Sequence, residues 1–536
     1  MTDDHSQHQR TEQGGKGFFS REAMGSIPWM VLSKLVLFFL YFGISILTVN
    51  ALGKEKYGIY SLMVNISSYL LMLCGLGLGV ALMRYVPELA ARKNRFGLIH
   101  LLWKSAALQL IAVVAVSVVL VSLSGPLQRL FKAEHVEHFR FYLKLACGLT
   151  GLLLLKEYVG TVFTSLFKTR TVAILSITSG IIWFATLWSW LAIRPEVETV
   201  FAVQLAAVGT IYLIGAGALF LYVKNLPWKV KEFGIGKKRA LAFSGTVMLS
   251  SILRMVMFKY SEIFFLAAVA GTTVAGIYDL GYTLPYTVIT FLPLAFLPIF
   301  TAAFAEAYVK DNDCLDRLIK SYYKLLMMVS LPFAVLGSFF CPVAYHILYD
   351  GKMDEAGYIA SALCIVLVLP LFSMPLSAAI KAKEKVLNMM PMLVLQLVVN
   401  LLLDWYLIVL RNMGVWGGIL AVAGTFVLTI PFRLHVVRRI IGGVYFPATF
   451  CLRITTALAL LGWAFHWGVE KTGLFELFES RIVAMGLLFG IGALYLLLFL
   501  LAIRCLRLVR RADIEDFEAL EIRRLNAVFD LLVKRP

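Results

Sequence analysis

Charge is scarce in this sequence: only 15% of the 536 residues are Asp, Glu, Lys or Arg, whereas 60% are hydrophobic. That balance excludes an ordinary water-soluble globule, in which about 25% of residues are charged. Cysteine is also scarce, and the seven cysteines form no CxxC pair, so we predict neither a disulfide framework nor a zinc site. No GxxxxGK[ST] phosphate loop is present, which argues against ATP hydrolysis by that route. No enzyme site is predicted.

What the sequence has instead is long apolar runs. Fourteen of them are long enough to cross the roughly 30 Å hydrocarbon layer as helices. Continuous runs such as LLMLCGLGLGVAL argue against a barrel, whose strands alternate polar and apolar residues. The sequence therefore predicts an all-α polytopic membrane protein with spans near 28–51, 58–83, 98–123, 140–164, 172–193, 200–223, 241–268, 276–304, 321–345, 356–380, 388–410, 415–432, 449–467 and 482–503.

The basic residues indicate the orientation of these spans. Lys and Arg accumulate in the even-numbered gaps, most densely over residues 224–239 and including Arg433 after the twelfth span. Basic loops resist translocation, so these gaps are predicted to face the cytoplasm, with both termini on the same side. The net charge of +18 is attributed to this signal and a basic tail, and nucleic acid is not predicted as a partner.

One turn motif occurs twice in the sequence. The stretch GKEKYGIYSL, which begins at Gly53, returns as GTTVAGIYDL from Gly271. In both places we expect a helical hairpin on the outer face, with the glycine adopting a positive φ at the helix end. Tyr60 and Tyr278 would then lie at the membrane interface. The offset spans six helices, an even number, so the pattern predicts two parallel six-helix lobes related by an axis along the membrane normal.

These features predict the organisation of the chain. The predicted parts are a disordered cytoplasmic N-terminal lead (1–24), an N-lobe of six spans (25–223), a basic cytoplasmic inter-lobe loop (224–240), a C-lobe of six spans (241–440), spans 13 and 14 (441–505) and a cytoplasmic amphipathic tail (506–536).

The two hairpins carry a family resemblance. LGKEKYGIYSLMVN with GLGLGVALMRYVPELAARK, and YSEIFFLAAVAGTTVAGIYDLGYTLPY, resemble corresponding helices of the polysaccharide transporter family, the repeat-unit flippases of the multidrug, oligosaccharidyl-lipid and polysaccharide exporter (MOP) superfamily. The resemblance implies a MATE-like fold in a bacterial cytoplasmic (inner) membrane. It implies movement of an undecaprenyl-diphosphate-linked oligosaccharide from the inner to the outer leaflet for surface polysaccharides such as O-antigen or exopolysaccharide. Membrane lipids, a polysaccharide polymerase and chain-length proteins are the partners it suggests.

Charges inside the predicted spans are candidate substrate contacts, because a buried charge is expensive in hydrocarbon unless it faces water, a partner or substrate. The alternatives are snorkelling for Lys34 and structural ion pairs or lobe packing for the others. Lys259 and Glu262 have i, i+3 spacing and can pair with each other. A cationic cavity would suit a lipid diphosphate. The candidates are Arg254, Lys259, Glu262, Lys34, Lys156 and Glu157.

A second set of residues is predicted to serve gating or ion coupling. Arg84 and Glu88 flank Pro87 at the inner end of the second span, where the alternative is an ordinary cytoplasmic loop. Asp279 and Asp404 are candidate protonation sites, and an interfacial position is the alternative for both. No cofactor is predicted, whereas coupling to a proton or a sodium ion is left open. Peptidoglycan lipid II flippase, cation-coupled drug exporter and non-transporting scaffold of a polysaccharide synthesis complex stay as alternative functions.

Overall fold

The computed structural model describes residues 4–91, 94–225, 245, 249, 253, 261–310, 312–383, 386–443, 445–472, 481–505 and 508–509. Every regular element within these ranges is a helix. The chain divides into two compact units, Met1–Ile252 and Leu253–Pro536. The predicted basic loop and cytoplasmic tail lie almost entirely outside the described residues.

The N-terminal unit consists of long apolar helices with short connections. In chain order they are α1 (Asp4–Gly75), α2 (Leu78–Ala91), α3 (Arg95–Ser122), α4 (Ser124–Leu130), α5 (Phe139–Ser165), α6 (Thr169–Leu191) and α7 (Val197–Lys224).

Glycine interrupts this unit at two places. Gly53 has φ 70° and kinks α1, as predicted for the first copy of the repeated turn. Leu76 and Gly77 also have positive φ and separate α1 from α2 inside the predicted second span. The predicted disordered lead is wrong for residues 4–24, whose backbone continues α1 as helix. Extending an existing helix is far easier than starting one, which explains the continuation.

Helix α5 is the centre of the N-terminal unit. It packs against α1, α2, α3 and α7, while α6 packs against α1 and α7. Its buried face includes Leu149 and Val159, which are completely enclosed. Ser67 of α1 donates a hydrogen bond to the Ala146 carbonyl oxygen at 2.9 Å. Small and hydroxyl-bearing residues thus join α1 to α5 as in other membrane bundles.

The C-terminal unit is built of more broken helices. They are α8 (Ser261–Ala270), α9 (Thr272–Lys310), α10 (Asn312–Tyr349), α11 (Asp354–Val366), α12 (Val368–Leu371), α13 (Met374–Ala382), a 3₁₀ turn (Val386–Met389), α14 (Met390–Asp404), a π-helical turn (Trp405–Leu410), α15 (Gly414–Leu428), α16 (Ile430–Ile441), α17 (Ala448–Thr472) and α18 (Arg481–Cys505).

The breaks in the C-terminal unit have identifiable causes. Gly271 has φ 91° between α8 and α9, so the second copy of the repeated turn matches the first. Pro370 and Pro375 lie where the predicted tenth span divides into α11, α12 and α13. Helices α15 and α16 meet at an angle of 42°, with only Thr429 between them.

An aromatic cluster forms one core of the C-terminal unit. The rings of Phe300 and Tyr322 stack with their centroids 4.0 Å apart. Phe304, Ile319 and Ala379 complete the enclosed centre of this cluster, each with no exposed surface. Helices α9, α10 and α13 are thereby held together.

The helices agree with the predicted membrane spans. Among the described residues, ten helices are long and apolar enough to cross a membrane, or eleven with the bent α15–α16 pair. The first of the ten, Leu32–Gly75, is itself kinked at Gly53 and contains parts of two predicted spans. The all-α polytopic fold is confirmed, and the predicted count of about fourteen spans is consistent with it.

Close helix packing gives a stability prediction. A Cβ added to Gly357 in α11 would lie 2.9 Å from Pro342 Cα and 3.0 Å from Tyr345 Cβ in α10. We expect Gly357→Ala to destabilise the protein by about 1–3 kcal/mol, measured by thermal unfolding in detergent. Gly217 in α7 has no atom within 4 Å of its added Cβ, so Gly217→Ala is the matched control. Equal unfolding temperatures for both variants would contradict this packing.

Candidate functional site

Two buried acidic side chains define the candidate site. Glu262 is the second residue of α8 and has no exposed surface. Asp404 is the last residue of α14 and is also completely buried. Their carboxyl groups are close enough to repel each other when both are charged. The C-terminal unit alone contains both residues.

Asn400 links the two helices. It precedes Asp404 by four residues, so both side chains lie on the same face of α14. Asn400 Nδ2 donates to Glu262 Oε1 at 3.2 Å. Ser261 Oγ donates to Asn400 Oδ1 at 3.1 Å. The Asn400 amide therefore both donates and accepts a hydrogen bond, and it holds the start of α8 against α14.

The remaining carboxyl oxygens are not satisfied by the surrounding protein. Glu262 Oε2 and both side-chain oxygens of Asp404 are buried without a hydrogen-bond partner among the described residues. Neither acid forms an ion pair within the described part of the chain. Unpartnered buried oxygens of this kind are rare in proteins and indicate a place for an ion or a proton.

Helices α9 and α15 close the site. The Tyr278 side chain is completely buried, and its hydroxyl has no hydrogen-bond partner among the described groups. A Cβ added to Gly418 would lie 3.5 Å from both Glu262 Cβ and Tyr278 Cε2. These are ordinary van der Waals distances, so α15 lies directly against the acid and the tyrosine ring. The ring is enclosed within the unit instead of exposed on its surface.

Irregular backbone adjoins the acids. The π-helical turn Trp405–Leu410 begins directly after Asp404. Such turns are rare and occur often at functional sites, because they leave backbone groups outside the regular ladder. Interrupted helices at membrane depth are also how transporters present oxygen atoms to small cations. The arrangement can therefore bind one small cation, or hold a proton on a carboxyl group. It offers oxygen atoms only, from two acids, an amide and two hydroxyls.

The N-terminal unit places one predicted cation among aromatic rings. Lys156 Nζ in α5 donates to the Tyr41 hydroxyl oxygen at 2.9 Å. The same ammonium lies 5.5 Å from the Tyr41 ring centroid and 6.0 Å from that of Tyr212. Glu157 is exposed and forms no ion pair with Lys156. Lys34 is exposed in α1.

The other predicted residues are dispersed. Arg84 is exposed in α2, with its guanidinium 6.0 Å from the Tyr85 ring centroid, and Glu88 is half-buried in the same helix. Asp279 in α9 is only 7% exposed and accepts a hydrogen bond from Thr283 Oγ1 at 3.3 Å. Arg254 and Lys259 lie outside the described residues, and so does the predicted pairing of Lys259 with Glu262.

Sequence reasoning proposed Asp404 but missed its neighbour Asn400. The two residues stand in the apolar run QLVVNLLLDWY at i, i+4 spacing, a signal that could have identified the pair. The sequence also shows no sign that Arg433, predicted in a cytoplasmic gap, is enclosed by protein. Arg433 lies in α16, is only 8% exposed and donates to Ser373 Oγ at 2.6 Å.

Comparison with known proteins identifies related sequences and folds. A family model described as polysaccharide biosynthesis protein matches residues 25–305, just over half of the chain. A search of curated proteins finds no significant match.

Three solved structures are similar. An inward-facing multidrug resistance MATE family transporter of the MOP superfamily has a TM-score of 0.63 and 15% identity, over 76% of this chain and 98% of that chain. Lipid II flippase MurJ in an inward closed conformation has a TM-score of 0.59 and 14% identity, over 92% and 99%. A MOP superfamily transporter from Pyrococcus furiosus has a TM-score of 0.56 and 14% identity, over 77% and 96%. The chain therefore has a MATE-like fold.

The hydrogen bonds of Asn400 give the next prediction. Asn400→Leu leaves Glu262 Oε1 and Ser261 Oγ buried without their partner, which costs about 1–3 kcal/mol for each group. Gln396 is one turn earlier on α14 and donates only to Thr429 Oγ1, whose own hydrogen bond to Thr425 O stays intact. We expect Asn400→Leu to lower the unfolding temperature in detergent more than the control Gln396→Met. The reverse order would contradict the linking role of Asn400.

Proposed function

Because the chain belongs to the polysaccharide biosynthesis protein family, we propose that it is a flippase for lipid-linked oligosaccharides. Its substrate would be an undecaprenyl-diphosphate-linked repeat unit, moved from the inner to the outer leaflet by alternating access. The family match in a multi-span MATE-like chain is the observation that carries this proposal. Each sugar hydroxyl taken into hydrocarbon without a hydrogen bond costs roughly 2–7 kcal/mol, so an oligosaccharide needs a protein route.

The proposed reaction breaks no covalent bond. What the chain must supply is a path for polar sugars and a counter-charge for the diphosphate. The proposed setting is a bacterial cytoplasmic membrane with both termini in the cytoplasm, as the basic loops predict. Surface-polysaccharide synthesis would then provide the lipid-linked unit and consume it after transport. A polymerase and chain-length proteins are the proposed partners.

Lys156 is the described residue that best fits the diphosphate. An ammonium has three hydrogens to donate, and the Tyr41 hydroxyl accepts one of them. Two remain for phosphate oxygens, and the aromatic rings of Tyr41 and Tyr212 fix the position of the charge. We propose that Lys156 contacts the substrate, and that Lys34 and Arg254 contribute further positive charge.

A flipping assay tests this function. Purified protein would be placed in proteoliposomes with a fluorescent undecaprenyl-diphosphate oligosaccharide, and transfer between leaflets followed by quenching. We expect native protein to flip the lipid, and Lys156→Ala and Arg254→Ala each to lower the rate at least about tenfold, the effect of about 1.4 kcal/mol. Lys471→Ala, which removes a cation above the Trp467 ring, is the control. Inactivity of folded native protein with several such lipids would contradict the proposal.

We propose that the buried acids in the C-terminal unit couple transport to a cation. Glu262 and Asp404 present three carboxyl oxygens that no described group satisfies. Two enclosed negative charges are too costly to leave uncompensated, so a sodium ion or a proton is expected whenever this conformation is populated. Asn400, Ser261 and Tyr278 would complete the oxygen surroundings of the ion.

Thermal unfolding tests ion binding separately from transport. A cation at 100 times its Kd should stabilise native protein by about 2.7 kcal/mol. We expect sodium to raise the unfolding temperature more than potassium at equal ionic strength, and Asp404→Asn to abolish the difference. Asp279→Asn is the control, because Asp279 already has a Thr283 partner. A sodium effect that survives Asp404→Asn, or no response of native protein to either sodium or pH, would contradict the coupling site.

Lipid II flipping is a second candidate function. The fold likeness to lipid II flippase MurJ covers 92% of this chain, whereas likeness to the MATE family transporter covers 76%. A drug exporter of this superfamily normally has twelve helices, so two additional helices in this chain would have no counterpart in it. The wider coverage by MurJ therefore favours a flippase over a drug exporter. Parallel assays with lipid II and the oligosaccharide lipid decide between them, since the preferred substrate should flip faster at equal concentration. A scaffold would flip neither.

A further inference from the structure

A membrane-facing cavity lies within the N-terminal unit, apart from Lys156. It has a volume of about 450 Å³ and is enclosed by α3, α5 and α7. Pockets of roughly 300–1,000 Å³ are the usual size for small ligands. The lining is almost entirely apolar and includes Ile99, Trp103, Ala106, Leu155, Ala216 and Phe220.

The cavity opens at the surface of the N-terminal unit. Trp103 is 68% exposed and Phe220 is 60% exposed, although both line the cavity. The third aromatic residue, Tyr158, turns its hydroxyl to the Leu102 carbonyl oxygen at 2.8 Å. Its hydrogen-bonding needs are met within the protein, so its ring adds to an apolar wall. An apolar occupant is therefore favoured over a polar solute.

The cavity has the depth of one leaflet. Its lining begins at Arg95, the first residue of α3, and reaches Ala106, eleven residues further. On α7 it extends from Ala216 to Lys224, the last residue of that helix. At 1.5 Å per residue these distances are about 16 Å and 12 Å. Half of a hydrocarbon layer of about 30 Å is 15 Å, the depth reached by a phospholipid acyl chain.

Two cations stand at the mouth of the cavity. Arg95 and Lys224 line it at the helix ends and are both exposed. Neither forms an ion pair within the described part of the chain. The basic-loop pattern predicts this end to be cytoplasmic. Positive groups beside an apolar slot match the phosphate and the acyl chain of an anionic lipid.

We propose that this cavity binds an anionic glycerophospholipid of the inner leaflet. Its phosphate would contact Arg95 and Lys224, and one acyl chain would fill the space between α3, α5 and α7. The bound lipid would connect three helices of the N-terminal unit that otherwise leave a gap. This site is independent of the proposed transport substrate, because none of its lining residues belongs to the candidate site.

Photo-crosslinking tests the lipid site. Full-length protein would be reconstituted in phosphatidylcholine vesicles containing phosphatidylglycerol with a diazirine in its acyl chain, and labelled peptides mapped by mass spectrometry. We expect labelling of α3, α5 and α7, and about a fivefold loss of affinity for each cation removed in Arg95→Ala and Lys224→Ala, or about 1 kcal/mol each. Ala216→Trp should block labelling while leaving both charges in place, and Ala106→Leu is the substitute if that variant does not fold.

Lys104→Ala is the matched control, since Lys104 is exposed on α3 but does not line the cavity. We expect the labelling of Lys104→Ala to stay within about twofold of the labelling of native protein, a difference in binding free energy of at most about 0.4 kcal/mol. Equal labelling by a phosphatidylcholine probe would overturn the proposal. So would labelling that is unchanged in Arg95→Ala, in Lys224→Ala and in the cavity-filling variant. Displacement of phosphatidylglycerol by undecaprenyl phosphate at a lower concentration would also overturn it, because the cavity would then prefer a polyprenyl lipid.

Discussion

The enclosure of two carboxyl groups is the constraint on which the C-terminal unit depends. Glu262 and Asp404 have no exposed surface, and Asn400, one turn before Asp404 on α14, hydrogen-bonds to Glu262 on α8. Charges in such surroundings are stable only when something compensates them. Asn400 provides part of this compensation by hydrogen bonding to Glu262 and Ser261, and α15 lies against the acid at Gly418. The three carboxyl oxygens without a hydrogen-bond partner among the described residues are the reason why we propose a cation at this site.

Broken helices make this arrangement feasible within a membrane. Gly271 follows the end of α8, the helix that carries Glu262 in its first turn, and the π-helical turn begins at the residue after Asp404. Irregular backbone at membrane depth is tolerated where it is enclosed by protein or lines a cavity. The N-terminal unit has its own interruptions at Gly53 and Gly77. Its Lys156 lies among aromatic rings instead of beside a buried acid pair. The two units therefore share a repeated turn but differ in the chemistry they enclose.

Much of the fold could be predicted because hydropathy and glycine act locally. Predicted spans such as 140–164 and 200–223 agree with α5 and α7 to within a few residues, and both repeated glycines have the expected positive φ. The site was less predictable. Ser261 and Asn400 are 139 residues apart, and nothing local shows that they bond. The burial of Arg433 in α16 is likewise a tertiary result, because its partner Ser373 is 60 residues away in the sequence.

The central claim is that the buried acids link a cation to the movement of lipid. The most direct measurement is the final leaflet distribution of the fluorescent oligosaccharide lipid in proteoliposomes with an imposed sodium or proton gradient. A coupled flippase should drive the distribution away from equality in native protein, whereas Glu262→Gln should only let it become equal. An equal final distribution in native protein, whatever the gradient, would contradict coupling even if flipping itself were fast.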